Sequence, residues 1–207
     1  MERKTGYFIM STHPISIALS LFFVINVLGN IPLFVGLLSK YPPRRQRVIL
    51  TREFLFALIL LLLFNFFGAR IFHMLGISQP ILGMAGGILL LLIAIKMIFP
   101  NHDQEKNPNH EPMLVPLATP IIAGPGSITA VMLFSSRMAD PLKMSIIIII
   151  TMGISAIIGL LASIFKYALG EKGLLAIERL GGMIIALISI QMFATGAIDF
   201  VKTSFGL

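Results

Sequence analysis

The chain has no cysteine and no tryptophan, and only 12% of its 207 residues are charged. Without cysteine there is no disulfide, thiolate metal site or cysteine nucleophile. Soluble domains carry about 25% charged residues, so this composition does not suit a surface wetted all round. Acids are scarcer than bases, with nine Asp and Glu against sixteen Lys and Arg. Glu53 and Asp199 fall at the edges of apolar runs, and His13, His73, His102 and His110 stand near run ends or in connections. Paired catalytic carboxylates, a metal cluster and a Ser/His/Asp set are all missing from the apolar runs. An enzyme is therefore not expected, nor is a cofactor. The net charge of +7 comes from bases scattered at the ends of apolar runs, which fits a membrane surface and not nucleic acid.

What the chain has is apolar length. Hydrophobic residues make up 57% of it, with a mean hydropathy of +0.94. Met1-Glu2-Arg3-Lys4 ahead of apolar sequence imitates a signal peptide. No small-residue cleavage site follows, however, and the run beyond His13 is too long, so the segment is expected to be retained. Six apolar segments can be drawn at about 14–38, 48–69, 80–99, 113–135, 144–165 and 180–200. Each is near the ~20 residues needed to cross a ~30 Å hydrocarbon core. The polar stretch 100–112 separates them into two sets of three as an exposed linker, and Pro42-Pro43 with Lys40, Arg44, Arg45 and Arg47 reads as a basic loop.

Alternating the spans sorts the bases by side. Arg3, Lys4, Arg70, Arg137, Lys143 and Lys202 share the side of the N-terminus. Lys40, Arg44, Arg45, Arg47, Arg52, Lys96, Lys106, Lys166, Lys172 and Arg179 share the other. The richer side is cytoplasmic by the positive-inside rule, which puts both termini on the periplasmic or outer face.

The fourth run is interrupted. Pro120-Ile121-Ile122-Ala123-Gly124-Pro125-Gly126-Ser127-Ile128-Thr129, with Thr119 just before it, holds two prolines and two glycines. Proline removes a donor and clashes with the preceding turn, and irregular backbone in a membrane needs protein or water around it. The break is expected to free carbonyls suited to an ammonium or Na⁺. It also exposes amides suited to a carboxylate, where Ser127 or Thr129 could cap the next helix. A second interruption, Asn26-Val27-Leu28-Gly29-Asn30-Ile31-Pro32, lies in the first run.

The halves also repeat. Gly86-Gly87 followed by Ile95-Lys96-Met97 answers Gly181-Gly182 followed by Ile190-Gln191-Met192 at the same spacing, and the same offset drops Gly29 onto Gly124. Three spans per copy is odd, so the copies are inverted. Interrupted segments at matching positions of inverted repeats point to a secondary transporter's binding site. The expected architecture is all-α integral membrane, with six transmembrane helices in two inverted three-helix repeats and the first helix of each broken. The candidate substrate residues are Asn26, Gly29, Asn30, Pro32, Thr119, Pro120, Gly124, Pro125, Gly126 and Ser127.

Four motifs carry a resemblance. They are Gly29-Asn30-Ile31-Pro32-Leu33-Phe34; Gly86-Gly87-Ile88 through Ala94-Ile95-Lys96-Met97; Pro116-Leu117-Ala118-Thr119-Pro120 with Ala123-Gly124-Pro125; and Gly170-Glu171-Lys172-Gly173. With them the chain resembles the MarC-related family of bacterial inner-membrane proteins, also called the six-span neutral amino acid transporter family. The resemblance implies a small neutral amino acid as substrate, such as alanine, glycine or serine, and residence in the bacterial inner membrane. Coupling to Na⁺ or H⁺ and a homo-oligomer are both left open. Where the family pattern has Asp-Pro ahead of Leu-Gly, this chain has Asn26-Val27, which removes a candidate proton or cation site and softens the break. The alternative is a channel-like or regulatory membrane protein without active transport.

Overall fold

A computed structural model describes residues 13–99, 122–138 and 140–205. Among these residues every element is helical: α1 Pro14–Ile25, α2 Ile31–Leu38, α3 Pro43–Met74, α4 Gln79–Ile98, α5 Pro125–Met138, α6 Pro141–Leu160 and α7 Ala162–Phe205. The linker 100–112 and the first part of the fourth expected span lie outside the described residues.

Helix starts follow local chemistry. Proline stands in the first turn of α1, α2, α3, α4 and α6, where its missing N–H would have no helical partner anyway. Asp140 caps α6, its Oδ1 accepting from the amides of Leu142 and Lys143 at 3.2 Å. Those amide bonds, with Lys143 Nζ 3.1 Å away, hold its carboxyl below the usual carboxylate range.

Four helical stretches are long and apolar enough to cross a membrane: Pro43–Gly68, Gln79–Ile98, Pro141–Leu160 and Lys172–Phe205, with the shorter apolar α1 beside them. The span expected at 48–69 lies inside a longer helix. α3 has 32 residues, about 48 Å, and the arginines 44, 45 and 47 expected in a loop form its opening turns. Pro42 and Pro43 start this helix, and no glycine or proline interrupts it until Gly68. The span expected at 180–200 likewise lies within α7, which is broken only at Gly170 (φ 62°, ψ −179°), a conformation open essentially to glycine alone.

The amphipathicity is inside out. On α6, Ile146, Ile149, Ile150, Ile154 and Ile157 face outward while Thr151 and Ser155 are buried at 2% and 0% exposure. Isoleucine outside and hydroxyls inside is the arrangement for a hydrocarbon solvent. α5 is the central helix: its six consecutive residues from Thr129 to Phe134 are all buried, more than a full turn, so no face is open. It packs on α4, α3 and α1, and less on α6.

α4 and α7 form the most extensive contact in the fold, and they run antiparallel along a glycine seam. A Cβ on Gly87 would stand 2.7 Å from Ser189 O and Phe193 N, while one on Gly182 would stand 3.2 Å from Ala94 O and 3.1 Å from Ile98 Cγ1. Each of these residues and its counterpart are ninety-five positions apart, so the two contacts are reciprocal. Gly83 faces Gly196 in the same seam, and a Cβ on Gly196 would meet Pro80 O and Met84 N at 2.8 Å. Small residues here let the backbones approach, which supplies the packing that water would otherwise drive.

The neighbours of Gly87 and Gly196 are backbone atoms that cannot step aside, so Gly87→Ala and Gly196→Ala should each destabilise the protein by about 1–3 kcal/mol. Gly153, with nothing within 4 Å, is the control. Gly153→Ala should leave stability unchanged or raise it by up to about 1 kcal/mol. Thermal denaturation of the three variants in one detergent measures the difference.

Candidate functional site

Five residues separate α1 from α2. Asn26 ends α1 in the left-handed region (φ 56°), and it is the only non-glycine residue at positive φ among those described. Asparagine tolerates that conformation better than β-branched or bulky residues. Its amide still donates to Phe22 O at 3.2 Å, and its own carbonyl accepts from Asn30 N at 3.1 Å. The side chain turns inward and Nδ2 donates to Met97 Sδ on α4 at 3.0 Å. Gly29 lies beneath this carboxamide, and a Cβ there would stand 2.5 Å from Asn26 Oδ1 and 2.9 Å from Met97 Cε. Asn30 precedes α2 without capping it by its side chain, although its carbonyl accepts from Phe34 N at 2.9 Å. Pro32 occupies the first turn of α2. Above Asn26 a crevice of about 120 Å³ opens between α1 and α7, lined by Phe22, Phe23, Leu28, Gly181 and Ile184, with Asn26 as the only polar side chain among its described lining residues.

The second interruption is tighter. Ile122 and Ala123 are buried without helical structure, and α5 begins at Pro125. Gly124 O accepts from Ile128 N at 3.0 Å and from Ser127 Oγ at 2.9 Å. Ser127 Oγ also reaches Ile122 O at 3.3 Å, and Thr129 Oγ1 donates to Pro125 O at 2.7 Å. This corrects the expectation that Ser127 or Thr129 would cap the amides. Both hydroxyls lie after the helix start and donate to carbonyls, as Ser and Thr inside helices do. No described group accepts from the amides of Gly126 and Ser127, so this end of α5 offers donors and the positive end of a helix dipole.

Both interruptions pack on α4, at different heights. A Cβ on Gly126 would meet Leu90 Cδ2 and Ile93 Cδ1 near the middle of α4, whereas Asn26 meets Met97 near its end. The four to seven residues between them are about 6–10 Å of helix, a stagger in place of the face-to-face pair that the repeat suggests. Thr119 and Pro120 lie outside the described residues.

Three buried polar residues lie away from both interruptions. Thr151 Oγ1 and Ser155 Oγ, one turn apart on α6, have no hydrogen-bond partner among the described residues. With Gly159 they form a small-residue stripe at four-residue spacing, opposite the isoleucines. Glu53 was placed at a span edge, but it is 8% exposed. It sits on the inward stripe of α3 with Leu50, Phe54, Ala57 and Leu61, whose phase points it inward. Asn65 makes interhelical bonds, donating to Pro141 O at 2.9 Å and Ser145 Oγ at 3.0 Å, and Ser135 Oγ donates to Asn65 O at 3.2 Å.

Outward apolar faces, helices long and apolar enough to cross a membrane and chain breaks packed between them define a polytopic α-helical integral membrane protein. The family model of the MarC family integral membrane proteins matches residues 11–201. A membrane protein of Buchnera aphidicola subsp. Baizongia pistaciae (UPF0056) is 40% identical over 190 residues, covering 88% of this chain and 94% of its own. The inner membrane protein YhgN of Escherichia coli K12 is 39% identical over 192 residues, 91% and 98% of the two chains. A membrane protein of Methanocaldococcus jannaschii, MJ1677, is 33% identical over 188 residues, 86% and 92%. The chain belongs to the MarC family of integral membrane proteins. No solved structure matches it.

A buried hydroxyl without a partner contributes nothing to the fold, so Thr151→Val and Ser155→Ala should leave thermal stability unchanged or raised. Asn65→Ala, which strips α6 of two hydrogen bonds from α3, should cost about 1–3 kcal/mol in the same thermal assay.

Proposed function

We propose that this protein is a secondary transporter or exporter of small neutral amino acids such as alanine, glycine or serine, working by alternating access. The observation that carries the reading is the start of α5, where the buried Gly126 and Ser127 stand against the middle of α4 and no described group accepts from their amides. Helix interruptions at membrane depth are tolerated where they line a cavity, and half-helix N-termini suit anionic groups such as a substrate carboxylate. The crevice at Asn26 is small enough to favour a small solute.

In this reading the six crossings form two inverted repeats. α1 with α2, α3 and α4 make the first, and the segment ending in α5, α6 and α7 make the second. Support comes from the reciprocal α4–α7 seam and from α3 and α6, which also run antiparallel: Asn65 bonds Pro141 while Phe54 meets Gly159. Corresponding helices of an inverted repeat must oppose each other in this way. The protein resides in the bacterial inner membrane, and the bias of Lys and Arg places both termini on the outer side.

Counterflow in proteoliposomes tests the assignment. Vesicles preloaded with unlabelled alanine, glycine or serine should transiently accumulate the labelled form of the same amino acid. Gly126→Val, whose branches enter the space of Leu90, should lower that accumulation at least about tenfold while the protein still purifies folded. Equilibration without counterflow would identify a channel and overturn the reading.

A further inference from the structure

At the face of the bundle where α4 begins and α5 and α7 end, a second cavity of about 370 Å³ lies between the helix ends. Its lining differs in kind from the crevice at Asn26. Arg137 and Asp199 meet across it at 3.3 Å, Gln79, Lys202 and Thr203 stand around them, and Leu133 forms part of the wall. Arg137 is in the last turn of α5, where the dipole favours a cation, and its side chain is 19% exposed against 47% for Asp199. The pair is partly withdrawn from water on the cationic side and open on the acidic side.

The same two helices lead inward from it. Gln79 and Leu90 are eleven residues apart on α4, and Pro125 and Arg137 are twelve apart on α5. Both distances are about 16–18 Å, close to half the hydrocarbon thickness. The Gly126 amides therefore lie at mid depth, in line with this cavity along α5.

We propose that this cavity is the entry site for a zwitterionic α-amino acid, whose carboxylate binds Arg137 and whose ammonium binds Asp199, inserting into the ion pair that joins them in the empty state. The proposal rests on the transport reading above. A half-exposed ion pair contributes little to the fold, so opening it is cheap. The zwitterion replaces one charge pair with two and leaves no charge unmatched. Arg137 suits this role, since its planar fork accommodates a carboxylate by two parallel bonds. Neither described interruption carries a formal charge, so the pair at the mouth supplies what the chain breaks do not. A solute with only one of the two charges can answer only one member of the pair, so the zwitterion is favoured over it.

The test is alanine counterflow in proteoliposomes with wild type, Arg137→Gln, Asp199→Asn and Asp140→Asn. The last removes the exposed Lys143 pair yet keeps a good N-cap for α6. Arg137→Gln and Asp199→Asn should each raise the KM for alanine about tenfold with Vmax within about twofold, and Asp140→Asn should change neither. Arg137→Lys, which keeps the charge without the fork, should fall between wild type and Arg137→Gln, and it stands in if Arg137→Gln does not purify folded. An unchanged KM in Arg137→Gln or Asp199→Asn, or a lost Vmax at unchanged KM, overturns the entry site and leaves the transport reading intact. Absence of counterflow in the wild type removes the transport reading, and the entry site with it.

Discussion

A peptide group in hydrocarbon has no water to bond, and the rest of this structure follows from that constraint. An unbroken helix meets it by itself. The two interruptions meet it by different means, and the difference sets their chemistry. At Asn26 the chain turns through a left-handed residue whose amide and carbonyl both keep partners, and the carboxamide closes against Met97. Its turn leaves the amides of Val27, Leu28 and Gly29 with no described backbone acceptor. At Gly124 the carbonyls are answered by Ser127, Thr129 and the next turn of helix, but no described group accepts from the amides of Gly126 and Ser127. The imbalance leaves donors in the interior near the middle of α4.

Such an arrangement needs a frame stiff enough to hold an incomplete helix end in place. α5 gains that frame by being enclosed, with α4, α3, α1 and α6 around it. The enclosure depends in turn on the α4–α7 seam, where glycines allow backbone to lie against backbone. Gly86 belongs to both contacts, since Thr129 of α5 and Met192 of α7 fill the space where its side chain would be. A side chain at this point would disturb the glycine seam and the helix carrying the interruption together. Gly86-Gly87 and Gly181-Gly182 are therefore best understood as packing residues that position the site.

Much of this was legible in the sequence because hydropathy and helix breakers are local signals. The apolar runs and both interruptions could be read from residue order. What could not be read depends on which way a group points. Ser127 has the composition of a cap, but its hydroxyl can reach a carbonyl as easily as an amide, and only the path of Ile122 to Gly124 decides between them. Glu53 sits near the end of an apolar run, so hydropathy marks it as peripheral. The helix begins ten residues before it at Pro43 and carries it onto the buried stripe. The stagger of the interruptions was equally hidden. Repeat spacing aligns Gly29 with Gly124, yet height in the bundle is set by where each helix leans on α4.

The distribution of charge bears on how such a protein could bind a solute and still release it. A fully charged pair at mid depth would have to be desolvated in the empty state, at a cost that grows as the surroundings become drier. It would also hold a zwitterion too firmly for turnover. Partial charges on amides avoid both problems: they are fixed by the fold, need no counter-ion and remain when the solute leaves. Formal charges are better placed where water still reaches them, and Arg137 and Asp199 satisfy each other there when nothing is bound. Asn26 fits the same logic, since it is a carboxamide without formal charge that the thioether of Met97 can partner. In the transport reading, the interior of this chain is then electrically neutral along the first interruption. Selection by charge falls to the mouth and selection by size to the buried chain breaks.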